Sequence, residues 1–157
     1  LLARGIQRLR LGLRIAGDDI LGMLYRIEEQ PESRPTTVSV PTFVARQNGL
    51  SHWLTALSVR RLTRRQLVVP SAAGELELTP TGRQAAQSLV RAHRLWEAYM
   101  ARHFDLPDDH LHETAHRVEH VLDRDLQKRL DRELDTPSED PHGREIPAGP
   151  GQPGPSD

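Results

Sequence analysis

Apolar residues in the first third of the chain recur at helical rather than alternating spacing. Leu2, Ile6, Leu9 and Leu13 fall three or four positions apart, with Arg4, Arg8, Arg10 and Arg14 around them, which predicts a basic amphipathic lead-in over residues 1–17. Gly17 is expected to interrupt it. Asp18 then suits the cap of a new helix whose apolar residues Ile20, Leu21, Leu24 and Ile27 face a core, and Pro31 and Pro35 should end that helix near Glu29.

Further along, Pro41 suits the first turn of a short helix through Arg46 that Gly49 terminates, and Ser51 suits the cap of the next, running to about Arg65. Two helices joined this way outline a helix-turn-helix. Leu67-Val68-Val69 and Glu75-Leu76-Glu77-Leu78 are short β-type runs separated by Pro70-Ser71-Ala72-Ala73-Gly74, so they predict a two-stranded hairpin. Thr79-Pro80-Thr81-Gly82 opens a long helix to about His103, Pro107 starts another, and Asp123 caps a last one holding Leu126, Leu130 and Leu134. The expected fold is mainly α: a winged helix-turn-helix with a small β-hairpin wing over residues 18–83, then an all-helical second domain over 84–147. From Thr136 onward Pro, Gly, Ser and charge predominate, predicting irregular or disordered chain, with 148–157 a disordered tail.

Composition narrows the chemistry. A chain of 157 residues accommodates one medium domain or two small ones, and the absence of Cys removes disulfides and thiolate metal sites together, which suits a reducing cytoplasm. No run approaches a membrane span or signal peptide. The net charge of −1 hides an asymmetry, because residues 1–70 hold eleven Arg against five acidic residues while residues 71–157 hold ten basic against seventeen acidic ones. The front half is therefore the part suited to a polyanion. The sequence opens at Leu1 rather than Met, from which we expect a piece of a longer polypeptide.

The segment His112-Glu113-Thr114-Ala115-His116-Arg117-Val118-Glu119-His120 carries the densest functional pattern. Residues three and four apart share a helix face, so His112, His116 and His120 form one ridge with Glu119 beside it, and His93 and Glu97 repeat the spacing one helix earlier. Leu111, Ala115, Val118 and Leu122 place an apolar stripe next to the ridge. A solvated helix also tolerates single histidines, but this many ionisable groups beside a core need a common partner, for which a divalent cation is the natural choice. His112-Glu113-x-x-His116 also matches the zinc-protease signature. That match is accidental on this reading, since Glu119 and Leu122 stand where the longer motif needs Gly and His and no strand-rich half precedes it, so no enzymatic activity is expected. His103, His110 and His142 are read as surface residues.

In order along the chain, Leu78-Thr79-Pro80-Thr81-Gly82-Arg83, His93-Arg94-Leu95-x-Glu97, His112 through His120 with Glu119-His120-Val121, and Pro141-His142-Gly143-Arg144-Glu145-Ile146-Pro147 resemble the landmarks of the DtxR/MntR family of metal-dependent bacterial repressors, over about residues 18–147. The resemblance implies a primary, activating metal site at Asp19, His116, Glu119 and His120, and an ancillary site at His93, Glu97 and His112. It also implies a homodimer formed through the helical second domain. Soft sulfur ligands of iron-sensing members are replaced here by Asp19 and His116, and a carboxylate of manganese-sensing members by Gly22. Oxygen and nitrogen donors suit Mn²⁺ or Fe²⁺ first, with Zn²⁺ and Co²⁺ compatible.

The expected recognition helix departs from the family, because His52-Trp53-Leu54-Thr55-Ala56-Leu57 is mostly apolar. Ser51, Thr55 and Ser58 remain as base readers and Arg60, Arg61, Arg64 and Arg65 as phosphate contacts, unless those arginines are only a solvated helix end. Two functions stay open. One is a cytoplasmic, metal-dependent repressor that binds double-stranded operator DNA and controls metal homeostasis. The other is a metal-sensing domain at the cytosolic face of the inner membrane, fused in the same chain to a membrane-embedded manganese, iron or zinc ABC-transporter permease, with weakened DNA binding. The missing Met, the Arg-rich lead-in and the apolar recognition helix favour the second.

Overall fold

The structure, a computed structural model, describes residues 2–33, 39–47, 49–71, 75–104, 115–116, 118 and 120–149. The chain divides into two compact units, Leu1–Ala86 and Gln87–Asp157. In order, the elements are α1 (Leu2–Glu29), a 3-10 turn (Pro31–Ser33), α2 (Val40–Gln47), α3 (His52–Arg64), β1 (Val68–Pro70), β2 (Leu76–Leu78), α4 (Pro80–His103) and α5 (Arg124–Glu133). The expected break at Gly17 is absent: α1 is a single helix of 28 residues, and Asp18 lies inside it rather than capping a second one. Gly17 serves packing instead, since a Cβ there would lie 3.5 Å from Leu62 Cδ2. The apolar stripe therefore runs unbroken along α1 and meets two environments. Ala16, Ile20, Leu24 and Ile27 are buried, whereas Ile6 and Leu9, on the same face, are exposed.

Helices α1 and α3 run parallel. Gly12 lies against Leu54, the Ser58 hydroxyl donates to the Leu13 carbonyl at 3.3 Å, and Gly17 lies against Leu62. Since Gly12 is the first of these contacts, the first turns of α1 extend past the start of α3. Between α2 and α3 the chain reverses at Gly49, whose φ of +61° is the left-handed conformation that glycine adopts without strain. The two strands pair antiparallel with Val68 opposite Leu78 and Val69 opposite Glu77, forming the hairpin the sequence predicts.

Thr79 joins the hairpin to α4. Its hydroxyl donates to the Gln66 carbonyl at 2.6 Å and accepts the Gly82 N–H at 3.0 Å, while Pro80 occupies the first helical position, where no N–H is needed. Gly82 is required for a steric reason, because a Cβ there would sit 1.8 Å from the Leu67 carbonyl oxygen. An ion pair of 3.1 Å between Arg83 and Glu28 holds the start of α4 to the end of α1.

In the second unit Ala92, Leu95, Leu122, Leu130, Leu134 and Ile146 form the core, with Trp96, Tyr99 and Val118 partly buried against it. Asp123 caps α5 by accepting the Leu126 N–H at 2.8 Å. Residues 136–149 lack regular structure, as expected, but are not loose. Glu139 and Glu145 form an isolated antiparallel bridge, the Asp140 N–H donates to the Arg144 carbonyl, and Ile146 is 5% exposed. Two guanidinium groups of α4 fasten this segment. Arg91 bonds the Pro147 carbonyl at 2.6 Å and pairs with Asp131 of α5 at 2.7 Å, and Arg94 bonds the Glu145 carbonyl and lies 3.8 Å from Asp140. Of the tail expected over residues 148–157, residues 150–157 lie outside the described residues.

Two stability predictions follow from these contacts. Gly82→Ala should destabilise by about 2 kcal/mol or more, a fall in Tm of roughly 5 °C or greater, whereas Gly12→Ala, whose Cβ would meet only Leu54 at 3.6 Å, should leave Tm unchanged or raise it. Equal melting temperatures for the two variants would refute the close-approach role of Gly82. Arg91→Met should cost about 3–5 kcal/mol in urea unfolding by leaving the buried Asp131 carboxylate unmatched, and adding Asp131→Leu should recover most of it.

Candidate metal centre

Helix α4 positions the first candidate ligands. His93 and Glu97 are one turn apart with side chains 4% and 2% exposed, and His93 Nε2 lies 3.1 Å from Glu97 Oε1. That distance is a hydrogen bond between a ring nitrogen and a carboxylate, a geometry that fixes the ring and the carboxyl plane together. His142 Nε2 lies 3.9 Å from the same Glu97 oxygen. It is held there by its turn: Asp140 Oδ1 accepts the N–H groups of His142 at 2.8 Å and Arg144 at 2.9 Å, and Gly143 takes a φ of +73°. His142 was expected to be a surface residue. It is exposed, as expected, and its ring also approaches Glu97 from the Pro141-His142-Gly143 landmark.

The second pair follows the ridge spacing. Residues 115, 116 and 118 are helical, and the rings of His116 and His120 have centroids 5.6 Å apart with planes at 73°. His120 is 7% exposed and Ala115 fully buried, so this stretch borders a core as its sequence predicts. Asp19, on α1 in the first unit, is 6% exposed, which is unusual for a carboxylate one residue from the half-buried Asp18. His112 and Glu119 lie outside the described residues. Within the second unit the structure thus assembles two sets of nitrogen and oxygen donors, His93–Glu97–His142 and His116–His120.

The expected nucleic-acid surface requires correction. Thr55 and Ser58 are 5% and 1% exposed. Their hydroxyls donate to carbonyls one turn earlier, Thr55 to Ser51 at 3.3 Å and Ser58 to Leu54 at 2.9 Å, so they face the core and not a groove. Helical phase was the available signal, because both residues share a face with the buried Leu62. Ser51, at the start of α3, remains exposed. Arg60, Arg61, Arg64 and Arg65 are exposed and, with Leu13 and Leu57, line an open cavity of about 380 Å³. Trp53, one turn before Leu57, is 60% exposed.

Residues 79–148 match the family model for the iron dependent repressor metal binding and dimerisation domain. A probable metal transport system membrane protein of Chlamydia trachomatis is 41% identical over 80 residues, which are 51% of this chain and 18% of that protein. The diphtheria toxin repressor of Corynebacterium diphtheriae is 37% identical over 90 residues, or 57% of this chain and 40% of that protein. The solved structure of the manganese regulator SloR superposes with a TM-score of 0.73 at 30% identity, covering 88% of this chain and 61% of that one. The chain therefore spans less than two thirds of each of these relatives. It has the mainly helical fold and small hairpin of that regulator, and His93, Glu97, His116, His120 and His142, but not Asp19, lie in the segment similar to the repressor metal-binding domain. On these grounds residues 79–148 are similar to the metal binding and dimerisation domain of iron dependent repressors, and the chain resembles the DtxR/MntR family in sequence and in fold.

Proposed function

We propose that the chain is a divalent-metal-dependent, DNA-binding transcriptional repressor of metal homeostasis that acts as a homodimer. The observation that carries this reading is the burial of Glu97 and His93 one turn apart, with His142 facing the same carboxylate oxygen. Ionisable groups kept from water this closely favour a shared cation, and an all-nitrogen-and-oxygen donor set suits Mn²⁺ or Fe²⁺, with Zn²⁺ and Co²⁺ as competitors. Relatives whose names record iron or manganese dependence support the same choice.

In this reading Asp19, His116, Glu119 and His120 hold the activating ion, and His93, Glu97 and His112, joined by His142, hold an ancillary one. A bound ion supplies the positive charge that lets carboxylates and imidazoles share one small space. Asp19 belongs to the helix on which α3 packs, so ligation through Asp19 biases the population of DNA-binding arrangements by ordinary linkage. Arg60, Arg61, Arg64 and Arg65 meet phosphates, Ser51 is the exposed hydroxyl among the expected readers, and apolar contact from α3 suits thymine methyl groups.

One alternative has its own support. The identity with a metal-transport membrane protein, together with the inward-facing hydroxyls of α3, favours a metal-sensing regulatory domain of a permease with reduced sequence reading. No helix among the described residues is long and apolar enough to cross a membrane.

Adding Mn²⁺ at about a hundred times its Kd should stabilise the protein by about 2.7 kcal/mol, read as a rise in Tm. His120→Ala or Glu119→Ala should abolish the high-affinity part of that rise, and Glu97→Ala should spare it; an unchanged shift in His120→Ala refutes the assignment. Selection on a random duplex library with Mn²⁺ and again with chelator tests the DNA reading. Metal-dependent enrichment of a palindrome supports the repressor, whereas metal binding without enrichment supports the permease-attached sensor.

A further inference from the structure

Five of the nine exposed large apolar side chains among the described residues lie on two helices of the first unit: Ile6, Leu9 and Leu11 on α1, and Trp53 and Leu57 on α3. Leu11 points away from the others by helical phase, but the remaining four fall on adjoining ridges. Trp53, Leu57, Arg60 and Arg64 follow one another at i, i+4, i+7 and i+11 along the outer side of α3. Leu13 shares the α1 stripe with Ile6 and Leu9, and it meets Leu57 in the arginine-lined cavity. The stripe and the ridge therefore form one surface, apolar along its middle and cationic along its edge. The sequence keeps negative charge away from it: residues 1–17 and 34–74 contain ten Arg and neither Asp nor Glu.

We propose that this face docks on the surface of a lipid bilayer rich in anionic headgroups, with Trp53, Leu57, Leu9 and Ile6 in the boundary between headgroups and acyl chains and Arg60, Arg61, Arg64 and Arg65 on lipid phosphates. A parallel pair of helices with a Trp and aliphatic stripe, flanked by Arg, has the chemistry of an interfacial anchor. Indole suits that boundary because its ring is apolar and its N–H polar. A second copy of the chain fits less well, since it brings the same arginines against themselves. Duplex DNA offers phosphates as a bilayer does, but its grooves present little apolar surface beyond thymine methyls, and Trp53 at 60% exposure with Leu57, Leu9 and Ile6 exceeds that need. The inference rests on the permease-attached reading, in which α3 has reduced sequence reading, and it gives Arg60, Arg61, Arg64 and Arg65 to lipid in place of DNA; it does not depend on the metal ligands.

The test is cosedimentation of the 157-residue chain with vesicles of phosphatidylcholine alone or mixed equally with phosphatidylglycerol, with tryptophan emission recorded on the same samples. The expected result is binding to the anionic vesicles only, with an emission shift to the blue that disappears in Trp53→Ala. Trp53→Ala and Leu57→Ala, both at exposed positions, should each weaken the partition by about three- to tenfold, and Arg60→Gln with Arg64→Gln by at least as much. Anionic-vesicle binding that Trp53→Ala leaves unchanged overturns the proposal, because it is then a contact of charge alone. So does binding of a random-sequence duplex without any binding of vesicles, which assigns the face to DNA, and so does a dimer that Trp53→Ala converts to monomer without vesicle binding. The Mn²⁺ melting shift, measured on the same preparation, reports separately on the metal reading.

Discussion

Four ionisable residues within seven positions of α4, Arg91, His93, Arg94 and Glu97, are each no more than 5% exposed, and the second unit is organised around giving each a partner. Charges held this far from water are tolerated only when matched, so Asp131 of α5, Asp140 and the carbonyls of Glu145 and Pro147 are drawn onto the helix. The arginines thereby hold a segment that has no regular structure of its own. Its position in turn sets His142 opposite Glu97, so the geometry of a candidate ligand depends on two guanidinium groups that would not themselves touch a metal.

The first unit solves a different problem. Its winged helix is assembled with small residues at the contacts: Gly12 and Gly17 let α3 lie close along α1, Gly82 lets α4 begin against the Leu67 carbonyl, and the hydroxyls of Thr55 and Ser58 are satisfied internally. Turning those hydroxyls inward leaves arginine and apolar carbon as the outer character of α3. The charge asymmetry seen along the sequence thus becomes a surface property, expressed where the helix lacks groups suited to reading base edges.

The elements were legible because each has a local cause. Pro80 and Thr79 start α4, Asp123 starts α5, Gly49 reverses the chain before α3, and two short β-type runs mark the hairpin. The ligand spacing on α4 was equally readable, since a period of 3.6 places His93 beside Glu97 wherever that helix goes. What escaped the sequence depended on partners distant in the chain. Gly17 reads as a break until Leu62 is seen to pack on it, and helix propensity yields to that contact. Thr55 and Ser58 look available until the phase of α3 is fixed by Leu62. His142 is exposed as expected, but its approach to Glu97 was not legible, because Asp140, Arg94 and Glu97 come together only when the chain returns to α4.

The continuity of α1 has an energetic corollary. Residues 2–11 precede the Gly12–Leu54 contact, Gly5 has open space where a Cβ would be, and a free peptide of that length would not hold a helix, because nucleation costs more than so few hydrogen bonds return. Here the nucleus already exists in the packed turns from Gly12 onward, so each additional residue needs only propagation, which is nearly neutral. The turns before Gly12 therefore lose helix residue by residue, not as a block, and amide exchange along them should be graded. Anything that covers Ile6 and Leu9 has to shift only that shallow equilibrium, so a weak contact is enough to complete the helix.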